Sequence, residues 1–224
     1  MLRYLQVMTR DPGAFALAMT YAPPLARPAL EAVFALDDTL GAILRTTREP
    51  LVGQMRLTWW YEALGRLDVA PAPAEPVLAA LQTWVLPAGV SGAMLASLTD
   101  GWEVLLEPVL DTAAIERFAS DRGRRLFELA SVVLGIVDAR IGVAGEGWAL
   151  ADLSRGLSDA VLQAKARSRA ANTLDAALRG RWPHEARALG ALALSARFDV
   201  AASPPPLGSP KRIGRLAWHR LTGY

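Results

Sequence analysis

The chain contains no cysteine and only two histidines, His184 and His219, among its 224 residues. The absence of cysteine excludes disulfide bonds and thiolate metal sites, and two histidines leave little for imidazole-based zinc chemistry. No stretch of the sequence alternates apolar and polar residues over the length of a β-strand. A disulfide-stapled domain, a zinc protein and a β-sheet protein are therefore not expected.

Charge is also limited, and it is nearly balanced. The chain has 24 basic and 22 acidic residues, a surplus too small to indicate a nucleic-acid partner. The first residues, MLRYLQVMTRD, lack the apolar core of a signal peptide. The uncharged run 76–99 has Pro87 near its middle, which is typical of two soluble helices and not of a membrane span. We expect a cytoplasmic protein, with a peripheral contact to the inner membrane left open.

Alanine and leucine dominate a composition that is 52% apolar. Apolar residues recur with the helical period in most segments, which predicts an all-α protein. We expect a single-domain helical bundle over residues 1–202, a proline-rich linker at 203–210 and a basic C-terminal helix at 211–224. Within the bundle, the glycine-rich segment Gly142–Gly147 predicts a turn, and a break in a long helix is expected near Asp121–Gly123.

The segment from Ala29 to Leu64 combines an acidic pair, Asp37-Asp38, with a downstream arginine and aromatic cluster. That cluster contains Arg56, Trp59, Trp60 and Tyr61. An acidic pair that faces such a cluster could bind Mg²⁺ and a diphosphate. A solvated helix edge beside core aromatics would give the same pattern, so both interpretations stay open.

Several segments carry a resemblance to a known family. They read REPLVGQMRLTWWYEAL, RGRRLFELA, GEGWALADLSR, RWPHEARALGALA and GSPKRIGRLAWHRLTG. Through them, most of the chain resembles the squalene/phytoene synthase family, and more closely a branch that includes a mitochondrial respiratory complex I assembly factor. The resemblance implies a shortened isoprenoid synthase bundle and enzymes that join two prenyl diphosphates head to head.

The family's chemistry requires two aspartate-rich motifs, DDxxD and DxxED, on facing helices. Carboxylates one helical turn apart share a face and can hold the Mg²⁺ ions that assist diphosphate departure. In this chain Gly41 stands four residues after Asp37, and the second motif falls on Gly156, Asp159 and Ala160. Both motifs are therefore degraded, no metal ion is expected, and whether the protein is an enzyme stays uncertain.

The acidic residues that remain are the candidates for catalysis, namely Asp37, Asp38 and Asp159. The candidate ligand-binding residues are Arg27, Arg56, Trp59, Trp60, Asp152 and Arg155. Each of these residues also has a purely structural explanation. Asp37-Asp38 could pair with Arg27 or Arg45, Trp59 and Trp60 could be core aromatics, and Asp152 could pair with Arg155 three residues on.

The last helix, 211–221, has basic residues and no acidic one, together with Trp218. This pattern suits an anionic membrane surface or an acidic protein partner. A final bundle helix with solvated arginines fits the pattern equally well.

The leading hypothesis is a family member without Mg²⁺-dependent prenyl transfer that acts as an isoprenoid- or lipid-binding or assembly-type protein. Its rival is an active prenyl-diphosphate condensing transferase, which would use Mg²⁺ as its cofactor. A scaffold with a filled core and no ligand is the third alternative.

Overall fold

The structure is a computed structural model that describes residues 12–47 and 49–224. Residues 1–11 and Arg48, which belong to the predicted 1–202 domain, lie outside the described residues. Helices dominate the described ranges, and none of the residues in them forms a β-strand. The all-α prediction is confirmed.

The α-helices follow one another along the chain with short connections. In order they are α1 (Pro12–Met19), α2 (Arg27–Thr46), α3 (Pro50–Gly65), α4 (Pro76–Ala80), α5 (Gly92–Ala96), α6 (Leu98–Glu103), α7 (Thr112–Phe118), α8 (Arg125–Val133), α9 (Ala139–Gly156), α10 (Ala160–Ala177), α11 (Arg187–Asp199) and α12 (Pro210–Thr222). Wider π-helical turns occur at Leu81–Val85 and Ala119–Arg124, and single 3₁₀ turns at Leu86–Ala88, Val104–Leu106 and His184–Ala186.

Helix α2 is long and amphipathic, as its apolar spacing predicts. Pro28 lies in its first turn, where the missing N–H costs nothing because that group has no partner inside the helix. Its buried face includes Leu30, Phe34 and Leu44. Asp37 lies on the same face, so this acidic residue enters the core together with the apolar ones.

The break that the sequence predicts near Asp121–Gly123 is a π-helical turn between α7 and α8. A π turn is wider than an α turn, so the helix continues while the side chains within the turn change direction. Arg122 lies in this turn and is buried. Such turns often occur at functional sites.

Helix α9 occupies the centre of the bundle and packs against α8, α10, α11 and the Ala119–Arg124 turn. The predicted turn at Gly142–Gly147 is wrong, because this segment forms part of α9. Its glycines serve close packing. A Cβ added at Gly145 would lie 2.1 Å from the carbonyl oxygen of Gly123, so no larger side chain fits between the two backbones.

Helix α12 packs against α11 after the proline-rich segment 203–210. Arg212, Leu216 and His219 form its buried side, while Trp218 and Leu221 are exposed. Within the described part of the chain, no helix has both the length and the apolar character that crossing a membrane requires.

Candidate functional site

The two members of the acidic pair point in different directions. Asp37 and Asp38 are consecutive on α2, so their side chains leave the helix about 100° apart. Asp37 is only 2% exposed, whereas Asp38 is exposed. Both residues line one small cavity, with Asp38 at its edge. One carboxylate of the pair therefore lies in the core, and the other lies at the opening of the cavity.

The buried Asp37 binds a guanidinium group. Arg122 donates from Nε to Asp37 Oδ1 and from Nη2 to Oδ2, at 2.9 Å in each case. Its Nη1 donates to Oδ2 of Asp152, on α9, at 2.7 Å. Trp102 Nε1 supplies a further hydrogen bond to Asp37 Oδ1 at 3.1 Å. The guanidinium thus bridges the carboxylates of two facing helices.

Aromatic rings enclose the guanidinium of Arg122. Its Cζ lies 4.2 Å from the ring centroid of Trp102, 4.7 Å from that of Trp148 and 5.2 Å from that of Phe118. A cation over an aromatic face is attracted by the ring's quadrupole, most strongly where water is excluded. We refer to Asp37, Trp102, Arg122, Trp148 and Asp152 as the Asp37–Arg122 site.

Arg122 and Asp152 are both held in the ionised form. Burial alone would lower the pKa of Arg122, but the charges of Asp37 and Asp152 and their hydrogen bonds outweigh burial and raise it. Burial alone would raise the pKa of Asp152, but Arg122 and Arg155 outweigh burial and lower it. The arginine and Asp152 therefore stay charged over the whole physiological range.

The ion pairs continue from Asp152 towards the C-terminal helix. Arg155 Nη2 donates to Asp152 Oδ1 at 2.8 Å, which is the pairing that their spacing of three residues predicts. Its Nη1 donates to Asp199 Oδ2 at 2.9 Å, and Asp199 Oδ1 accepts from Arg212 Nη2 at 2.6 Å. Acidic and basic groups thus alternate from α2 to α12.

The family model described as squalene/phytoene synthase matches residues 11–167, more than half of the chain. The chain belongs to the squalene/phytoene synthase family. No curated protein and no solved structure matches it. The matched range contains α2, α6, the Ala119–Arg124 turn and α9, and therefore every residue of the Asp37–Arg122 site.

The cavity beside the site is small. It measures about 40 Å³, and its lining includes Asp38, Arg45, Trp102, Arg122 and Ser195. Pockets that hold small-molecule ligands are typically about 300–1,000 Å³. The cavity can hold a water molecule or two, but it cannot hold a prenyl chain.

The residues present do not fit a Mg²⁺ cluster. Within residues 12–47 and 49–224, no three histidine, cysteine, aspartate or glutamate residues are grouped so that they could hold a metal ion. Each carboxylate of the site already accepts hydrogen bonds from Arg122. At Gly41, where the first motif would have its last aspartate, an added Cβ would lie 2.7 Å from Trp102 Cη2. A carboxylate at this position would collide with the indole.

Asp159 lies away from the acidic pair. It is exposed and caps the N-terminus of α10, where its Oδ1 accepts from the backbone N–H groups of Val161 and Leu162 at 2.8 and 3.0 Å. It is not among the residues that line the cavity beside Asp37. Of the three catalytic candidates, the structure therefore brings together only Asp37 and Asp38.

The arginine and aromatic cluster of α3 also lies apart from the acidic pair. Arg56 is exposed and donates from Nη1 to Thr46 Oγ1 at 3.3 Å and to Thr47 Oγ1 at 3.1 Å. Trp60 is buried, while Trp59 packs edge-on against it and stays 46% exposed. None of these side chains lines the cavity beside Asp37.

Arg27 lies apart from both the acidic pair and the cluster of α3. It is the first residue of α2 and lies ten residues, or about 15 Å, from Asp37 along the helix. It lines a different cleft, together with residues of α11 and α12. The predicted ligand-binding residues are thus divided among three places. Only Asp152 belongs to the Asp37–Arg122 site, and Arg155 adjoins it.

Sequence reasoning missed Arg122 and its aromatic partners Trp102 and Trp148. The segment RGRRLFELA was recognised only as a marker of the family. One signal was available: Arg122 precedes an apolar helix, and an arginine in a buried position needs a carboxylate partner. No spacing rule identifies that partner, because Asp37 lies 85 positions earlier in the sequence.

Proposed function

We propose that this squalene/phytoene synthase family member does not carry out Mg²⁺-dependent prenyl transfer and acts as a binding or assembly-type protein. The position of the Arg122 guanidinium between Asp37 and Asp152 supports this proposal most directly. Asp37 opens the first degraded motif on α2, and Asp152 lies on α9 one helical turn before Gly156, where the second degraded motif begins. In this chain the cation between the two carboxylates is the guanidinium group of Arg122.

A divalent ion would have to compete with this arginine. The site already contains two carboxylates and one guanidinium, and three hydrogen bonds connect them. Mg²⁺ requires oxygen ligands in near-octahedral geometry and gives up its water reluctantly. A second cation beside a buried guanidinium would also be repelled strongly, because water does not screen the two charges.

Two further features favour a binding role. The cavity of about 40 Å³ has no room for a prenyl chain, so an isoprenoid or lipid ligand would bind elsewhere on the molecule. Helix α3 exposes Leu51, Met55 and Trp59, which are four residues apart and therefore share one face of the helix. An exposed apolar face of this kind is typical of a surface that contacts a protein partner.

A magnesium titration that compares the wild type with Arg122→Ser tests the central claim. We expect Mg²⁺ to leave the melting temperature of the wild-type protein unchanged. Removal of the guanidinium leaves Asp37 and Asp152 facing each other without the cation that they share, although Asp152 keeps Arg155. Mg²⁺ should therefore stabilise Arg122→Ser. The matched control is Arg122→Ser/Asp37→Asn, in which one of these carboxylates is neutral and the stabilisation should disappear.

An activity assay remains decisive if Arg122→Ser does not fold. Wild-type protein incubated with farnesyl or geranylgeranyl diphosphate and Mg²⁺ should yield no condensed product and release no diphosphate. Turnover that Asp37→Asn or Asp38→Asn abolishes would overturn the proposal and favour the active transferase. Extraction of the purified protein in an organic solvent, followed by mass spectrometry, would detect a retained isoprenoid or lipid.

A further inference from the structure

A larger cleft opens where the segment after α1 meets the first residues of α2 and α11 and the end of α12. It measures about 490 Å³. We call it the basic cleft, and its principal lining residues are Tyr21, Arg27, His184, Arg187, Arg220 and Leu221. It shares no residue with the Asp37–Arg122 site, and nothing in the prenyl transfer chemistry of the family requires it.

No carboxylate among the described residues compensates the charge of the basic cleft. Arg27, Arg187 and Arg220 line it, and none of the described acidic residues does. Glu31 and Glu185 are close to these arginines in sequence, but neither forms an ion pair with them in the described part of the chain. Elsewhere in the protein, by contrast, buried arginines such as Arg122 are matched by carboxylates. Three positive charges therefore converge on one concave surface.

Two donors at the basic cleft lack an acceptor. The Nε–H groups of Arg27 and Arg187 are buried and form no hydrogen bond with any described residue. Arg187 is only 7% exposed, and its Nη1 is occupied by the carbonyl oxygens of Arg220 and Leu221 at 2.6 and 3.3 Å. Buried donors without partners are rare in folded proteins, and a missing ligand is one of the usual reasons for them.

Helix ends of both polarities adjoin the basic cleft, and Arg187 already binds the carbonyl oxygens at the C-terminal end of α12. Helix α2 begins at Arg27 and helix α11 at Arg187, so both N-termini adjoin the basic cleft. Neither has a side-chain cap, since alanine precedes each helix. Their first backbone N–H groups are not free, since those of Arg27 and Arg187 donate to the carbonyl oxygens of Pro23 and His184. The helix N-termini therefore contribute only their partial positive charge, which favours anions.

We propose that the basic cleft binds a phosphate group, which Arg27, Arg187 and Arg220 hold from three sides. The planar guanidinium forms paired hydrogen bonds to phosphate oxygens, and a phosphate offers enough oxygens for more than one arginine. A single carboxylate would leave most of a 490 Å³ cleft unfilled. Exposed apolar side chains beside the cleft indicate which kind of molecule carries the phosphate group.

Leu25, Trp218 and Leu221 are exposed beside the basic cleft. Leu221 lines it, Trp218 is one helical turn away on α12, and Leu25 directly follows Pro24 of the lining. Basic groups flanked by leucine and tryptophan are the usual pattern of a surface that lies on an anionic membrane. The phosphate is therefore that of an anionic phospholipid, bound with these apolar residues in the interfacial layer.

Vesicle flotation tests the proposal with intact protein. The probes are vesicles of phosphatidylcholine mixed with phosphatidylglycerol, vesicles of phosphatidylcholine alone, and inorganic pyrophosphate followed by calorimetry. The test variant is Arg27→Gln/Arg220→Gln, because neither side chain forms an ion pair with a residue that the structure describes. Arg220 only stacks on the Tyr21 ring, at 5.2 Å from its centroid. The control is Lys211→Gln/Arg179→Gln, which removes the same charge from exposed positions outside the basic cleft.

We expect the wild type to bind vesicles that contain phosphatidylglycerol and not vesicles of phosphatidylcholine alone. The cleft variant should bind about tenfold more weakly than the control variant, because it loses charge-assisted hydrogen bonds and not only net charge. Equal weakening in both variants would mean diffuse attraction and would overturn the site. Absence of binding to both vesicles and pyrophosphate would overturn it too.

Binding of pyrophosphate alone, when it is lost in the cleft variant, would support the phosphate site and refute the membrane source. The result is independent of the magnesium titration, since an active transferase could carry the same cleft.

Discussion

Arg122 and Asp37 lie 85 positions apart in sequence and form two parallel hydrogen bonds of 2.9 Å in the core. A buried ion pair of this kind is not automatically stabilising, because both charges lose their water. Its effect is asymmetric: the intact pair is tolerated, but either partner alone is costly. Since Asp152 depends on the same guanidinium, Arg122 fixes how α2 and α9 face each other.

Replacement of Arg122 with methionine should be strongly destabilising. Asp37 and Asp152 would remain buried without their shared cation, so we expect a loss of about 3–5 kcal/mol in the free energy of unfolding. The measurement is urea denaturation followed by circular dichroism. Arg117→Met is the control in the same helical segment, because its pair with Glu107 is exposed and its removal should barely change the midpoint. Equal effects in the two variants would show that the buried network is unimportant.

Restoration of an aspartate at position 41 should not restore a metal site. The indole of Trp102 occupies the space that the new side chain needs, so Gly41→Asp should lower stability by about 1–3 kcal/mol. Isothermal calorimetry should detect no gain in Mg²⁺ affinity. The control is Gly65→Asp, where no atom lies within 4 Å of an added Cβ. Tight Mg²⁺ binding by Gly41→Asp would contradict our account of the site.

Most of the helices could be predicted because their signals are local. The apolar period of α2 and the proline in its first turn are both readable within twenty residues. The loss of carboxylates at Gly41, Gly156 and Ala160 is also readable, because it needs only a count of residues in register. These features involve neighbours along the chain, which sequence patterns report directly.

The centre of the site could not be predicted, for two physical reasons. The pairing of Arg122 with Asp37 is a contact between distant parts of the chain, and three arginines stand close together in RGRRLF without a local sign of which is buried. The glycines of α9 were misread because glycine is unfavourable in an isolated helix. Here Gly145 packs against Gly123, and this tertiary contact outweighs the local preference.

The crossing of α9 with the Ala119–Arg124 turn yields a stability prediction. In Gly145→Ala the new methyl group would collide with the carbonyl group of Gly123, a backbone group that cannot rotate away. We expect a loss of about 1–3 kcal/mol, measured by urea denaturation. Gly214→Ala, in α12, provides the control, because an added Cβ at Gly214 would meet nothing within 4 Å. There alanine should be neutral or stabilising by up to about 1 kcal/mol, since it favours the helix more than glycine does.

Acid stability should depend on Asp152. Its pKa is held below the usual value by Arg122 and Arg155 against the effect of burial. A lowered pKa in the folded state adds stability above the unfolded value, and this contribution is lost as the pH falls through the folded value. Urea midpoints of the wild type should therefore fall as the pH drops below about 4, the unfolded pKa of an aspartate. Asp152→Asn should be less stable at neutral pH and should show a shallower fall, whereas an unchanged slope would refute the assignment.

The docking of α12 should weaken in mild acid, because His219 is buried between its helix and α11. Burial lowers the pKa of His219, and the positive charges of Arg215 and Arg187 lower it further, against the backbone carbonyl groups of Tyr224 and Arg187. The unfolded chain therefore takes up a proton first, so stability should decrease as the pH falls below about 6.5 and level off below the folded pKa.

Urea denaturation between about pH 7.5 and pH 5.5 measures this pH dependence of stability. Because the chain has only two histidines, single substitutions can assign it. His219→Gln should abolish the slope in that interval, whereas His184→Gln should leave it in place because His184 is exposed. A slope that persists in His219→Gln would assign the dependence to another group. A flat wild-type profile would mean that the imidazole is solvated and that α12 leaves the bundle in solution. The same experiment therefore tests whether the closing helix belongs to the folded core.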